Sequence, residues 1–168
     1  DKIIWIASYP KSGNTFLRFL ISSLIYSDDG NFDFDIIKNI RQFDIYKYFS
    51  FVENLNYADS KNLDKLDIIS KYWLEAQKKF FNVEKKFIFK THSANLKVNG
   101  YNYTDENRTL GLIYIVRDPR DIVISYSHHT GTSIDYNINK LFDNKVTLLN
   151  SKRRIKVILS RWDTHIKS

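Results

Sequence analysis

Hydrophobic positions along the chain fall into two periods. Residues 2–8 (KIIWIAS) are a short, β-branched apolar run, and 110–116 (LGLIYIV) are a second; continuous runs of this length predict buried strands. Residues 86–91 (KFIFKT) alternate and predict another strand. Elsewhere the period is helical. Phe16, Leu17, Leu20, Ile21, Leu24 and Ile25 repeat at helical spacing between Thr15 and Ser27, and Asp28-Asp29-Gly30-Asn31 closes that helix. Leu66, Ile69, Trp73, Ala76 and Phe80 share one stripe of a helix from Asp64 to Phe81. From Ser151 to the end, Ile155, Ile158, Leu159, Trp162 and Ile166 fall on one side of an expected helix.

Polar segments punctuate these elements. Residues 31–63 have no clean period and predict short helices or loops, and 95–107 carry Asn-Gly and other turn signals. Asp118-Pro119-Arg120-Asp121 opens a helix running to about His129, with Asp118 at N-cap, Pro119 at N1 and Asp121 at N3. Residues 130–150 read as loop with one helix at most. Strands alternating with helices indicate an α/β fold with a mostly parallel sheet. Ligands of such sheets sit beyond the carboxyl ends of the strands. Segments 9–16, 90–92 and 117–125 all follow or end predicted strands.

Composition narrows the class. With 168 residues, 43% apolar and 27% charged, the chain suffices for one domain with a real core. The formal charge of +7 favours anionic partners, although a Lys-, Asn- and Ile-rich background explains part of it. The absence of Cys excludes disulfides and thiolate metal sites. No apolar run reaches the roughly 20 residues of a membrane span, and no signal peptide is visible, so a cytoplasmic location is expected.

Three segments carry candidate chemistry. Tyr9-Pro10-Lys11-Ser12-Gly13-Asn14-Thr15-Phe16 joins a strand to a helix. Free N–H groups at a helix start attract anions; Gly13 admits close approach, Ser12 and Thr15 add hydroxyls, and Lys11 adds a charge. Pro10 and Gly13 also suit a loop that merely turns the chain. The nucleotide triphosphatase pattern is not met, because its Lys directly follows a Gly, whereas Lys11 precedes Gly13. Lys90-Thr91-His92 ends a strand and offers a general base, His92, beside a cation, Lys90. A surface His at a strand end is the plainer alternative. Arg117 leaves the next strand, and Ser125 lies two helical turns beyond Asp118 on the same face, so the two can converge on one anion; structural salt bridges of Arg117 and Asp118 are the alternative. The adjacent His128 and His129 do not face each other on a helix, which disfavours a metal pair; the cleft wall or the helix end suits them better. Lys152-Arg153-Arg154 reads as a solvated face.

Taken together and in order, YPKSGNTF at 9–16, Lys-Thr-His at 90–92 and Arg-Asp-Pro-Arg-Asp-x-x-x-Ser at 117–125 resemble the sulfotransferases that use 3′-phosphoadenosine 5′-phosphosulfate (PAPS). Trp162-x-x-His165 is similar to a further family segment. The resemblance implies a P-loop-like three-layer α/β fold, with a central mostly parallel sheet flanked by helices. It also implies sulfuryl transfer from PAPS to an acceptor hydroxyl or amine. Lys11, Ser12, Gly13, Asn14, Thr15 and Phe16 would hold the 5′-phosphosulfate, and Arg117 and Ser125 the 3′-phosphate. His92 would be the base, with Lys11 and Lys90 stabilising the transferring charge. The product would be adenosine 3′,5′-bisphosphate, with no metal, and the acceptor a glycan, lipid or small molecule rather than nucleic acid. Asn14 and Phe16 stand where the family has Thr and Trp. The family continues into a further strand and an Arg-Lys-Gly loop, so residues 1–168 are expected to be one sulfotransferase domain, incomplete at its C-terminus. Two other readings remain open from sequence: a P-loop kinase or nucleotide triphosphatase, and a non-catalytic module that binds nucleotide or anion.

Overall fold

A computed structural model describes residues 2–31, 33–52, 66–81, 87–148 and 154–168. Its centre is a parallel sheet made of β1 (Ile3–Ser8), β2 (Arg41–Gln42), β3 (Phe87–Thr91) and β4 (Thr109–Ile115), in the spatial order β2-β3-β1-β4. β1 lies inside, with Trp5 opposite Phe89 on one side and Leu112 on the other. Its apolar run is buried as expected, Ile3 and Ile6 completely. The order follows from crossovers: parallel neighbours cannot be joined by a hairpin and need an intervening element. The first is α1 (Asn14–Tyr26), followed by a 3₁₀ turn at Phe34–Asn39. The α/β class with a central parallel sheet flanked by helices is what the sequence predicted.

Alternation along the strands divides the sheet into two faces. Ile3 and Trp5 join Phe43, Phe89, Tyr103 and Trp73 in an aromatic core. Trp5 meets Phe43 edge-on at 5.3 Å and Tyr103 at 5.6 Å. The predicted stripe of the 64–81 helix supplies the lid of this core: Ile69, Trp73 and Ala76 are fully buried. That helix is broken into α2 (Leu66–Ile69), a 3₁₀ turn (Ser70–Tyr72) and α3 (Trp73–Lys78), its expected first residues lying outside the described set. A second core gathers Tyr9, Ile122, Val123, Tyr126, Leu141, Val157 and Leu159 around α4 (Pro119–Thr130) and α5 (Ile134–Leu141).

Several local expectations are met in detail. Asp118 caps α4, its carboxylate accepting from the Arg120 N–H at 2.9 Å, with Pro119 at N1. Gly131, in the left-handed region at φ 68°, ends it. Asn99-Gly100 forms a tight reversal with φ of 50° and 85°, pairing Val98 with Tyr101.

Three expectations are corrected. The region from Ser151 on is not one helix: among its described residues, Val157–Ile158 form a strand, β6, antiparallel to β5 (Thr147–Leu148), and only Trp162–Lys167 (α6) is helical. The helical spacing of Ile155, Ile158 and Leu159 coincides with strand burial, in which Ile155, Val157 and Leu159 alternate inward. The two-residue β2 has no apolar pattern to announce it. Finally, α1 forms where predicted but turns much of its apolar stripe outward, Leu24 being 83% exposed, and β4 likewise exposes Leu110, Leu112 and Ile113. β4 is the last strand of the sheet among the described residues, so β1 covers one edge only.

Candidate active site

The loop leaving β1 is a strained turn. The Ser12 N–H donates to the Tyr9 carbonyl at 3.3 Å, and Lys11 between them sits at φ 70°. A non-glycine residue there costs about 1–2 kcal/mol and marks a constrained, often functional loop. Gly13 follows at φ 101°; nothing stands within 4 Å of where its Cβ would be, so its backbone angle, not crowding, demands glycine. It is the N-cap of α1 and offers no capping side chain. The first helical bond runs from Leu17 N–H to the Gly13 carbonyl at 3.1 Å. The N–H groups of Asn14, Thr15 and Phe16 therefore precede the helical ladder, at the positive end of the dipole.

Asn14 fixes this helix start to the strand. Its amide donates to the Ile6 carbonyl at 3.3 Å and to Ser8 Oγ at 3.2 Å, which leaves its buried Oδ1 without a partner. Ser8 in turn holds His92, which continues from β3 one strand away. His92 Nδ1 lies 2.8 Å from the Ser8 carbonyl oxygen. A carbonyl only accepts, so Nδ1 carries the hydrogen and Nε2 keeps its lone pair. Burial, reinforced by the charge of Lys90, pushes the His92 pKa down to about 3. The ring is therefore neutral across the physiological range, in the tautomer that accepts a proton at Nε2.

The third segment reaches the same place from β4. Arg117 Nη1 donates to the Lys11 carbonyl at 3.0 Å, and its Nε lies 3.7 Å from Asp121. Asp118 pairs with Arg120 and not with Arg117. Ser125, two turns into α4, faces the same side. Lys11, Gly13, Asn14, Thr15, Phe16, His92, Arg117 and Ser125 all line one cavity of about 600 Å³. The sequence did not single out Pro10, Tyr126, Thr130, Lys140 or Leu148, which line it too. His129, expected at the cleft wall or the helix end, takes the first of these: it lines the cavity four residues beyond Ser125 on the same helical face. Lys140 comes from α5, with its Nζ 5.1 Å from the centroid of the Tyr126 ring. No carboxylate lines the cavity among the described residues.

Two nominated residues stand apart. Ser12 is buried with its Oγ unpartnered, beside the cavity and not on its wall. Lys90 is also buried; its Nζ lies 3.4 Å from Gln42 Oε1 and not along the cavity. Burial and the nearby charges of Arg154 and Arg18 push its pKa down to about 8, against the opposing pull of Asp44. Behind the strand end, the fully buried Asp44 accepts from Thr91 Oγ1 at 2.7 Å and from the Tyr103 hydroxyl at 2.8 Å. Burial raises the pKa of that carboxyl, while the two hydroxyls oppose the rise. The network holds the chain at Thr91, one residue before His92.

A second cavity, of about 380 Å³, lies on the aromatic face over Trp5, Ala7, Leu112 and Tyr114. It takes Thr91 and Ser93 from the strand end, and His92, with opposite parity, lines the other cavity. Among the described residues, no helix is long and apolar enough to cross a membrane.

No curated protein matches the chain. The sequence model of the sulfotransferase domain matches residues 1–168, from the first residue to the last, and its expected motifs converge on one cavity at the carboxyl edge of the sheet. The chain belongs to the sulfotransferase domain family.

Proposed function

We propose that this domain transfers a sulfuryl group from PAPS to an acceptor hydroxyl or amine by in-line displacement. The observation that carries the reading is the shared wall. A neutral imidazole, bonded through Nδ1 and so holding its lone pair on Nε2, lines the same cavity as a helix N-terminus and the Arg117–Ser125 pair. The cavity also fits such a donor: Lys11, Arg117 and Lys140 line it and no carboxylate does among the described residues, Asp121 meeting Arg117 from off the wall, and the buried Asn14 Oδ1 and Tyr126 hydroxyl lack protein partners. A volume of about 600 Å³ is in the range of nucleotide-sized sites.

The roles follow from chemistry. His92 Nε2 takes the proton of the acceptor as the acceptor oxygen or nitrogen bonds to sulfur. The bond from sulfur to the bridging phosphate oxygen breaks, and adenosine 3′,5′-bisphosphate departs. Lys11 and the N–H groups of Asn14, Thr15 and Phe16 neutralise the charge that grows on that bridging oxygen. Arg117 and Ser125 hold the 3′-phosphate, and Lys90 adds positive potential from beneath. This division assigns most of the work to positioning and electrostatics, as in phosphoryl transfer.

Transfer of radiolabelled sulfate from PAPS to a panel of phenols, amines, glycans and lipids tests the reading, together with calorimetric binding of adenosine 3′,5′-bisphosphate. Transfer to any acceptor supports it. Tight binding with no transfer favours the non-catalytic module, and magnesium-dependent ATP turnover favours the kinase or triphosphatase.

A further inference from the structure

His165 is the most enclosed imidazole in the molecule, fully buried on α6, and it lines neither of the two cavities described. Both its nitrogens are engaged. Nε2 lies 3.0 Å from the main-chain carbonyl oxygen of His92, and Nδ1 meets the hydroxyl of Tyr114. The ring of Tyr9, the first residue of the strained loop, packs edge-on against it at 5.2 Å. The direction of each bond follows from chemistry. The His92 carbonyl only accepts, so His165 carries its hydrogen on Nε2 and accepts from the tyrosine at Nδ1. Burial raises the Tyr114 pKa and lowers that of His165, so the phenol stays protonated and the imidazole neutral.

The result is a relay of fixed donors across three strands. Tyr114 on β4 donates to His165, which donates to the backbone of His92 after β3, and the His92 ring donates to the carbonyl of Ser8 on β1. His92 lies past the last ladder pair of β3, where Thr91 faces Ala7, so the sheet itself does not hold its backbone. We infer that His165 is a positioning residue, which fixes the main chain of His92 so that its Nδ1 reaches Ser8 and its Nε2 faces the cavity. This rests on His92 being the base.

Histidine-selective isotope labelling of the full chain, which has four histidines, reads the tautomers directly by NMR, and sulfuryl-transfer kinetics run in parallel. In the parent, His92 is expected as the Nδ1–H form and His165 as the Nε2–H form. His165→Leu is expected to mix the His92 tautomers and lower kcat about 10–100-fold, the scale of a misplaced catalytic group, with donor affinity within about threefold. His165→Gln, whose amide reproduces the Nε2 donor, is expected to restore the Nδ1–H form and most of kcat. Should His165→Leu fail to fold, Tyr114→Phe decides: mixed tautomers at His165 and a lowered kcat at constant donor affinity support the inference. A folded His165→Leu protein with unchanged His92 tautomer and unchanged kcat overturns it, as does a His165→Gln protein no better than the leucine variant. If the parent itself transfers no sulfate, the function falls, while the tautomer readout still decides the positioning.

Discussion

Arg117 donates to the carbonyl of Lys11 at 3.0 Å, so the turn after β4 and the loop after β1 are hydrogen-bonded into one rim. The guanidinium uses one edge on the protein and keeps further donors for an anion. Arg117→Met is expected to weaken adenosine 3′,5′-bisphosphate binding about 10–100-fold, the equivalent of losing one or two charged hydrogen bonds. Arg117→Lys should recover only part of this, because an ammonium lacks the planar fork. Calorimetric titration checks both.

His92→Ala is expected to lower kcat by about 10²–10⁴-fold, the contribution of a placed acid or base, and to leave donor affinity near that of the parent. Single-turnover kinetics and calorimetry separate the two. Unchanged turnover rules His92 out as the base.

The pH dependence of kcat/KM reports the free enzyme. Burial holds the pKa of His92 down to about 3 and that of Lys90 down to about 8. Protonation of His92 therefore removes the proposed base only well below pH 5, and deprotonation of Lys90 removes a positive charge above about pH 8. The expected profile is level from about pH 5 to 7.5 and falls on the alkaline side. Lys90→Arg should shift that fall upward by more than one pH unit. For stability the sign is that of any group whose pKa folding depresses. The folded pKa of His92 is depressed below the unfolded value, so its contribution is complete above about pH 6.5 and is lost as pH falls toward 3.

Asp44 anchors two buried hydroxyls, those of Thr91 and Tyr103. Asp44→Ala strands the Thr91 hydroxyl without an acceptor, while the Tyr103 hydroxyl can still donate to Thr91 Oγ1, 2.8 Å away. A loss of about 1–3 kcal/mol in urea denaturation is expected, the cost of one unsatisfied buried group. Tyr103→Phe removes one donor only and should cost less.

Lys11→Gly separates strain from charge. Glycine adopts φ 70° without penalty, so stability should stay within about 1 kcal/mol of the parent. Donor affinity should fall about tenfold with the lost ammonium. Thermal melts and calorimetry on the same preparation give both values.

Much of this arrangement was legible in the residues. The β-branched run of β1, the cap at Asp118 and the Asn99-Gly100 reversal each obey local rules that tertiary contacts had no reason to override. The convergence of segments 9–16, 90–92 and 117–125 followed from strand ends meeting at one edge. Other features had no local signal. Ile155, Ile158 and Leu159 satisfy a helical period and a strand's alternation equally well, and pairing with Thr147 and Leu148 decided between them. Lys140 reaches the cavity from a helix that no motif marks. The direction of Lys90 was also hidden. Its parity matches that of His92, but its ammonium settles among Gln42, Asp44 and the nearby arginines, groups whose proximity only the fold creates.

The hydrogen bond from His92 to Ser8 has one further outcome. A free imidazole shuttles between two tautomers, and only one presents a lone pair at the required nitrogen. Here that selection is completed as the chain folds, so a base acting through Nε2, as proposed for His92, needs no internal proton shift beforehand.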